Sequence, residues 1–208
     1  MALNTLGNLA YVGGDLGMAR AQYEESLAIR RAQGDDTGIA GILNNLGVIA
    51  SAEGDYAQAQ RLHQESLLIK RAKGDMRAVA SSLTNLSIAA ANQGDDHTAW
   101  QLCQESLTLR QEMGDRQGIA MCLNNLGILA LGRGDHAAAR QYHEDSLARK
   151  QAIGDRPGIA DSYLNLGLVA AHEGDYAAAG HWYEQSQSLY QAIGEKRGWP
   201  IFSIIWVC

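Results

Sequence analysis

The sequence is poor in several features that mark whole classes of protein. It has three cysteines, Cys103, Cys122 and Cys208, and their spacing fits neither a disulfide framework nor a metal site. No apolar run is long enough to cross a membrane, and no signal peptide is recognisable. The net charge of −6, with no basic patch among aromatics, argues against nucleic acid and anionic membranes as partners. We therefore expect a cytoplasmic protein.

Catalytic signatures are also missing. No nucleophile, base and orienting residue occur together, and there is no phosphate-binding loop. We therefore expect that the protein is not an enzyme and that it binds no cofactor. His63 and His143 occupy a position that Tyr23, Cys103 and Tyr183 fill elsewhere in the chain. We interpret these two histidines as packing residues between helices and expect no metal site.

Glycine, by contrast, is abundant and regularly placed. Gly-Asp recurs at intervals of twenty residues from Gly14 to Gly174, and Gly194 is followed by Glu195. Glycine takes the left-handed conformation just after a helix, and aspartate caps the start of the next one. Each Gly-Asp therefore ends one helix and begins another. The spacing predicts about ten helices joined by tight turns.

The residue pattern itself repeats every forty residues, which is typical of stacked helical arrays. The segments that open the repeats read LNTLGNLA, LNNLGVIA, LTNLSIAA, LNNLGILA and YLNLGLVA. In the second repeat Ile39, Leu43, Leu46 and Ala50 are spaced by three or four residues, as on one face of a helix. We predict an all-α, right-handed solenoid of five stacked helix-turn-helix hairpins. It should form one array over residues 1–198, with repeats at about 3–42, 43–82, 83–122, 123–162 and 163–198.

This pattern resembles the tetratricopeptide repeat (TPR) family. The residues that carry the resemblance in the second repeat are Leu43, Asn45, Leu46, Gly47, Gly54, Asp55, Tyr56, Ala59, His63, Ser66 and Leu67. The period of forty is longer than the family's usual thirty-four or so, and the closing proline is absent. Long repeats of this kind are similar to those of kinesin light chain, G-protein-regulator adaptors and bacterial signalling ATPases.

The resemblance implies a protein-protein interaction module that binds a peptide or protein in a concave groove lined by the first helix of each hairpin. Amide side chains there can hold the backbone of an extended peptide. The expected amide positions are Asn44, Asn45, Asn85, Asn124, Asn125 and Asn165. The expected apolar floor is Val48, Ile88, Ile128 and Leu168. Alternatively, these asparagines bond neighbouring repeats and the apolar row belongs to the core.

Two other functions remain open. The array could be the sensor segment of a larger signalling ATPase or transcription regulator. It could also be a self-assembling structural repeat protein, because residues 199–208 form an apolar tail outside the repeat. Arrays of this kind usually end in a polar helix. We expect this tail either to fold back over the last hairpin or to mediate self-association.

Overall fold

The computed structural model of the chain describes residues 2–194. Within that range the chain forms ten α-helices and no strand, which confirms the predicted all-α class. The helices are α1 Ala2–Val12, α2 Leu16–Gln33, α3 Asp36–Ala52, α4 Tyr56–Lys73, α5 Met76–Asn92, α6 Asp96–Glu112, α7 Arg116–Gly132, α8 His136–Ile153, α9 Arg156–His172 and α10 Tyr176–Ala192.

The Gly-Asp pairs set the helix boundaries in the way the sequence predicts. Gly54 has φ of +82°, a left-handed conformation that glycine adopts without steric cost. The next residue, Asp55, caps α4, since its carboxylate accepts a hydrogen bond of 2.9 Å from the backbone N–H of Gln58. A left-handed glycine and a helix-capping aspartate occur together at every Gly-Asp of the twenty-residue repeat.

Consecutive helices pack in pairs, and the described residues contain the five predicted hairpins. In the second hairpin, formed by α3 and α4, the side chains of Leu43, Leu46 and Ala50 are buried. Ile39 is half-buried and packs against them. A serine on α4 adds a hydrogen bond between the two helices: Ser66 Oγ donates to the carbonyl of Ala40 on α3 at 2.7 Å. Ser106, Ser146 and Ser186 make the equivalent bond in the next three hairpins.

In four of the five hairpins a glycine at the centre of the first helix makes room for a ring. A Cβ atom added to Gly47 would lie 2.6 Å from the His63 ring, so only glycine fits beneath that side chain. Rings cover three further glycines in the same way, in the pairs Gly7 with Tyr23, Gly127 with His143 and Gly167 with Tyr183. The third hairpin differs, since Ser87 there goes with the smaller Cys103, and both are buried. The sequence predicts that these ring positions pack between helices, but the repeat pattern does not show that each ring lies above a glycine.

The chain divides into two compact units, Met1–Gly118 and Ile119–Cys208. The first contains α1 to α6, and the second contains most of α7 together with α8, α9 and α10. The expectations for the tail at 199–208 lie outside the described residues. Among residues 2–194, no helix combines the length and the apolar composition that crossing a membrane requires.

Candidate peptide-binding face

The predicted apolar row lies partly open to solvent on the first helices. In the first unit Val48 is half-buried and Ile88 is 42% exposed. In the second unit Ile128 is 51% exposed and Leu168 is half-buried. The neighbouring positions on the same helices, such as Leu46, are buried in the hairpin core. Large apolar side chains that recur at one exposed position offer contacts to a partner.

The predicted asparagines make hydrogen bonds between neighbouring hairpins. Asn85 Nδ2 donates to Asn44 Oδ1 at 2.9 Å in the first unit. Asn165 Nδ2 donates to Asn124 Oδ1 at the same distance in the second. Within each unit these amides thus connect neighbouring hairpins, as expected if the asparagines bond neighbouring repeats. These bonds take one donor or one acceptor site from each amide, and an amide side chain has two donors and two lone pairs.

The first hairpin contributes Asn4, which is not among the site residues predicted from the sequence. Asn45 Nδ2 donates to Asn4 Oδ1 at 3.4 Å, a longer bond than the other two. The signal that could have found it is register, because Asn4 stands forty residues before Asn44. Asn125 also differs from its equivalents, since its Nδ2 is buried and has no hydrogen-bond partner among residues 2–194.

A row of cations near the ends of the second helices has more contacts than the sequence suggested. Four residues recur every forty residues in the last turns of the second helices, where the negative end of the helix dipole by itself would favour a cation: Arg30, Lys70, Arg110 and Lys150. Arg110 and Lys150 are instead almost fully buried.

The two arginines and the two lysines of this row are held differently. Arg110 pairs with Asp115 across the turn that follows its helix, at 2.6 Å, and Arg30 pairs with Asp35 in the same way. The lysine ammonium groups donate to hydroxyls instead. Lys70 Nζ lies 2.7 Å from Ser82 Oγ. Lys150 Nζ lies 3.0 Å from Ser162 Oγ.

The surroundings lower the pKa of the turn aspartate Asp115 and of both lysines, but they favour the charged form of the aspartate and disfavour that of the lysines. The backbone N–H of Gly118 and, more weakly, the Arg110 guanidinium hold the pKa of Asp115 below its ordinary value. Burial lowers the pKa of both Lys70 and Lys150, because a cation loses hydration energy when it leaves water. Lys150 is buried and Lys70 is half-buried, so a neighbouring anion stabilises the charge of either lysine.

A cavity of about 260 Å³ opens beside this row in the first unit. Its lining combines residues from the first two hairpins: Asn4, Arg30, Gly38, Gly41, Ile42, Asn44, Asn45 and Lys70. The predicted site residues Asn44 and Asn45 therefore meet two cations that sequence reasoning did not place with them.

The two histidines that could have served as metal ligands, His63 and His143, are packing residues, as predicted. His63 and His143 are buried under 2% exposure, each above a glycine of the facing helix. Burial, with a smaller contribution from Lys70, lowers the pKa of His63 to about 4. Within the described range no three metal-ligating side chains come together. Cys103 and Cys122 are buried, whereas Cys208 lies outside the described residues.

Comparison with known families agrees with this architecture. A family model described as tetratricopeptide repeat matches residues 1–72 and 78–152, and another of the same description matches residues 160–193. The chain belongs to the tetratricopeptide repeat family. A search of curated protein sequences finds no match.

Several solved structures share the fold. Repeats of a putative kinesin light chain from Podosopora anserina are 15% identical with a TM-score of 0.74, and the match covers 93% of this chain and 95% of that one. Two larger proteins also match over 93% of this TPR chain. One is a signal transduction ATPase with numerous domains and a TPR sensor from Pyrococcus horikoshii, at 17% identity, TM-score 0.80 and 30% of that chain. The other is the Rap conjugation gene regulator of plasmid pLS20 in complex with the Phr* peptide, at 17%, 0.80 and 53%.

Proposed function

We propose that this TPR chain is a protein-protein interaction module that binds an extended peptide segment on the exposed face of its first helices. The observation that carries the proposal is the repeated apolar position on that face, with Ile88 and Ile128 about half exposed in their respective units. Asparagine amides lie one turn away on the same helices and still have unused donor and acceptor capacity. An extended peptide needs both kinds of contact.

The likeness to the Rap regulator supports the proposal, because that protein has the same fold and its structure contains a peptide. The face also fits a general feature of repeat arrays, in which equivalent positions of successive repeats form an extended binding surface. The ligand we propose is a segment of a protein partner. Neither nucleic acid nor a membrane would be attracted to the acidic chain.

The cleanest test replaces the exposed apolar residues, because alanine at the asparagines would also remove hydrogen bonds between hairpins. Ile88→Gln with Ile128→Gln should abolish capture of a partner from the source lysate, while circular dichroism shows that the variant remains folded. A matched control is Leu68→Gln, since Leu68 is 67% exposed but lies on a second helix. The control should keep the partner. Equal capture by both variants would place the site elsewhere.

A second candidate function is regulation, favoured by the two larger structures that contain this fold as one part. The array matches 30% of the signalling ATPase and 53% of the Rap regulator. Here the peptide would act as a signal that the TPR segment passes to an attached domain. The gene sequence around the array checks this idea, which requires an adjoining nucleotide-binding or DNA-binding domain.

A further inference from the structure

Exposed apolar side chains are concentrated on the first hairpin. On α1, Leu6 is 50%, Leu9 is 64% and Val12 is 84% exposed, and Tyr11 beside them is also exposed. Met18 at the start of α2 adds a further exposed apolar side chain. The first three residues follow one another at intervals of three along one side of the helix. We call Leu6, Leu9 and Val12 the α1 stripe. Contiguous apolar surface of this kind marks an interaction site.

The repeat shows what covers two of these positions elsewhere in the chain. Leu46 and Ile49 of α3 correspond to Leu6 and Leu9, forty residues later, and both are buried. They share one apolar cluster with Leu27 of α2, so the second helix of the preceding hairpin covers them. The same two positions are also buried in α5, α7 and α9. The α1 stripe therefore lies on the face by which a hairpin stacks against another helix.

The second helix of the last hairpin lacks the side chain that provides this cover. A leucine recurs every forty residues on the other four second helices, and it is buried or half-buried at each: Leu27, Leu67, Leu107 and Leu147. On α10 the equivalent residue is Gln187. An amide in place of leucine leaves α10 with less apolar surface for the first helix of another copy. The sequence of α10 thus argues against head-to-tail stacking of chains.

A second copy of α1 is a better match. The segment Ala2–Val12 contains no charged side chain, whereas each of the other nine helices in residues 2–194 carries at least one. When two identical faces meet, every charge on one face meets the same charge on the other, and like charges repel. The α1 face brings no such pair together. A two-fold contact of this kind uses the same patch on both copies.

We propose that two copies of this chain form a two-fold dimer through the α1 stripe, with Leu6 and Leu9 of one copy packed against those of the other. The contact covers on each copy two positions that are buried in the four following hairpins. It does not use the candidate peptide-binding face, because the α1 residue equivalent to Val48 and Ile88 is Asn8. The proposal therefore goes beyond the proposed function and does not depend on it.

The first experiment measures the mass of the full chain by sedimentation equilibrium over a wide range of protein concentration. We expect the mass to rise from one chain to two and to stop there, because a two-fold contact occupies the patch on both copies. The mass of one chain at every concentration would overturn the proposal. So would a mass that continues to rise beyond two chains, which indicates an open-ended head-to-tail assembly.

The second experiment changes the stripe. Leu9→Gln should weaken the dimer at least tenfold, because it places an unpaired amide in an apolar contact. Leu68→Gln is the matched control, since Leu68 is similarly exposed but lies on α4. It should leave the dissociation constant of the dimer within about twofold of the parent value. Circular dichroism checks that both variants fold. Equal dissociation constants for the two variants would contradict the proposal.

Deleting residues 199–208 separates the stripe from the apolar tail. The shortened chain should dimerise as the full chain does. Loss of the dimer on deletion would mean that the tail makes the contact, and the proposal would then be wrong.

Crosslinking locates the contact without weakening it. Each stripe residue is replaced in turn by cysteine in a Cys208→Ser chain, in which the two remaining cysteines, Cys103 and Cys122, are buried. Residues beside a two-fold axis face their own copies, so at least one of the three variants should form a disulfide-linked dimer under mild oxidation. Leu68→Cys in the same background should not. No disulfide from any stripe variant, or an equal yield from Leu68→Cys, would overturn the proposal.

Discussion

The second and third hairpins, α3 with α4 and α5 with α6, have the same helix lengths within one residue and solve the same packing problem differently. The second places the His63 ring above Gly47. The third places Cys103 with Ser87, so a smaller side chain on one helix accompanies a larger one on the other. The Ser87 hydroxyl donates to the carbonyl of Ala99 at 2.7 Å, which satisfies it inside the core. The two pairs fill the same place with different residues, and their hydrogen bonding differs, because the buried Nδ1 of His63 has no hydrogen-bond partner among the described residues.

The cations near the ends of the second helices differ in the same manner. Lys70 of the second hairpin donates to the Ser82 hydroxyl, whereas Arg110 of the third pairs with the Asp115 carboxylate. The planar arginine reaches across the turn to a group that carries the opposite charge. These substitutions occur in compensating pairs, so changing one member alone should cost more than changing both.

The largest loss is expected where the third hairpin buries its ion pair. Arg110→Ala leaves Asp115 without its counter-ion at a site where the arginine side chain is 5% exposed. Removing one partner of a buried pair costs about 3 kcal/mol. The control is Arg31→Ala, because Arg31 and Glu65 are 3.0 Å apart but about half exposed, where such pairs contribute about 1 kcal/mol or less. Urea unfolding measures both, and equal losses would contradict the distinction.

A medium loss is expected from giving the second hairpin the serine of the third. In Gly47→Ser the added atoms would overlap the His63 ring, and overpacking of this kind costs about 1–3 kcal/mol. The double variant with His63→Cys reproduces the pair found in the third hairpin. Thermal unfolding should show that the second change recovers part of the stability that the first removes. If His63→Cys adds a further loss to Gly47→Ser, the compensation idea is wrong.

Acid sensitivity is the effect that is close to zero at neutral pH and develops only in acid, and the histidine-containing hairpins should show it. The pKa of His63 and of His143 is about 4 in the folded chain, against an ordinary value of 6.5. The unfolded chain therefore takes up the proton first, and stability is full above pH 6.5 and falls as the pH drops toward 4. From pH 7 to pH 5 each histidine should account for about 2 kcal/mol of that fall.

Tyrosine is the matched replacement, since Tyr23 and Tyr183 fill the same position in other hairpins. Urea unfolding at pH 7 and pH 5 should show a smaller pH effect in His63→Tyr with His143→Tyr than in the parent chain. An unchanged pH effect would mean that other groups cause it.

Reasoning from sequence predicted the helices and their boundaries well because those depend on neighbouring residues. Gly54 and Asp55, for example, end one helix and cap the next without help from distant parts of the chain. The candidate site was harder. The positions of Asn85 and Ile88 on exposed first-helix surfaces followed from the repeat, but the bond from Asn85 to Asn44 joins residues 41 apart. The binding role of the ten predicted residues stays a prediction.

The sequence by itself determined the fold class, the five hairpins and the register of every repeat, because a period of forty residues and local capping rules leave little freedom. Only the tertiary structure decided which equivalent residues act alike. Arg30 and Lys70 meet Gly41 and the asparagines in one cavity, while the same positions of the second unit hold Lys150, Tyr190 and Asp161. Such differences depend on which side chains from separate helices share a space, and that is a property of packing in three dimensions.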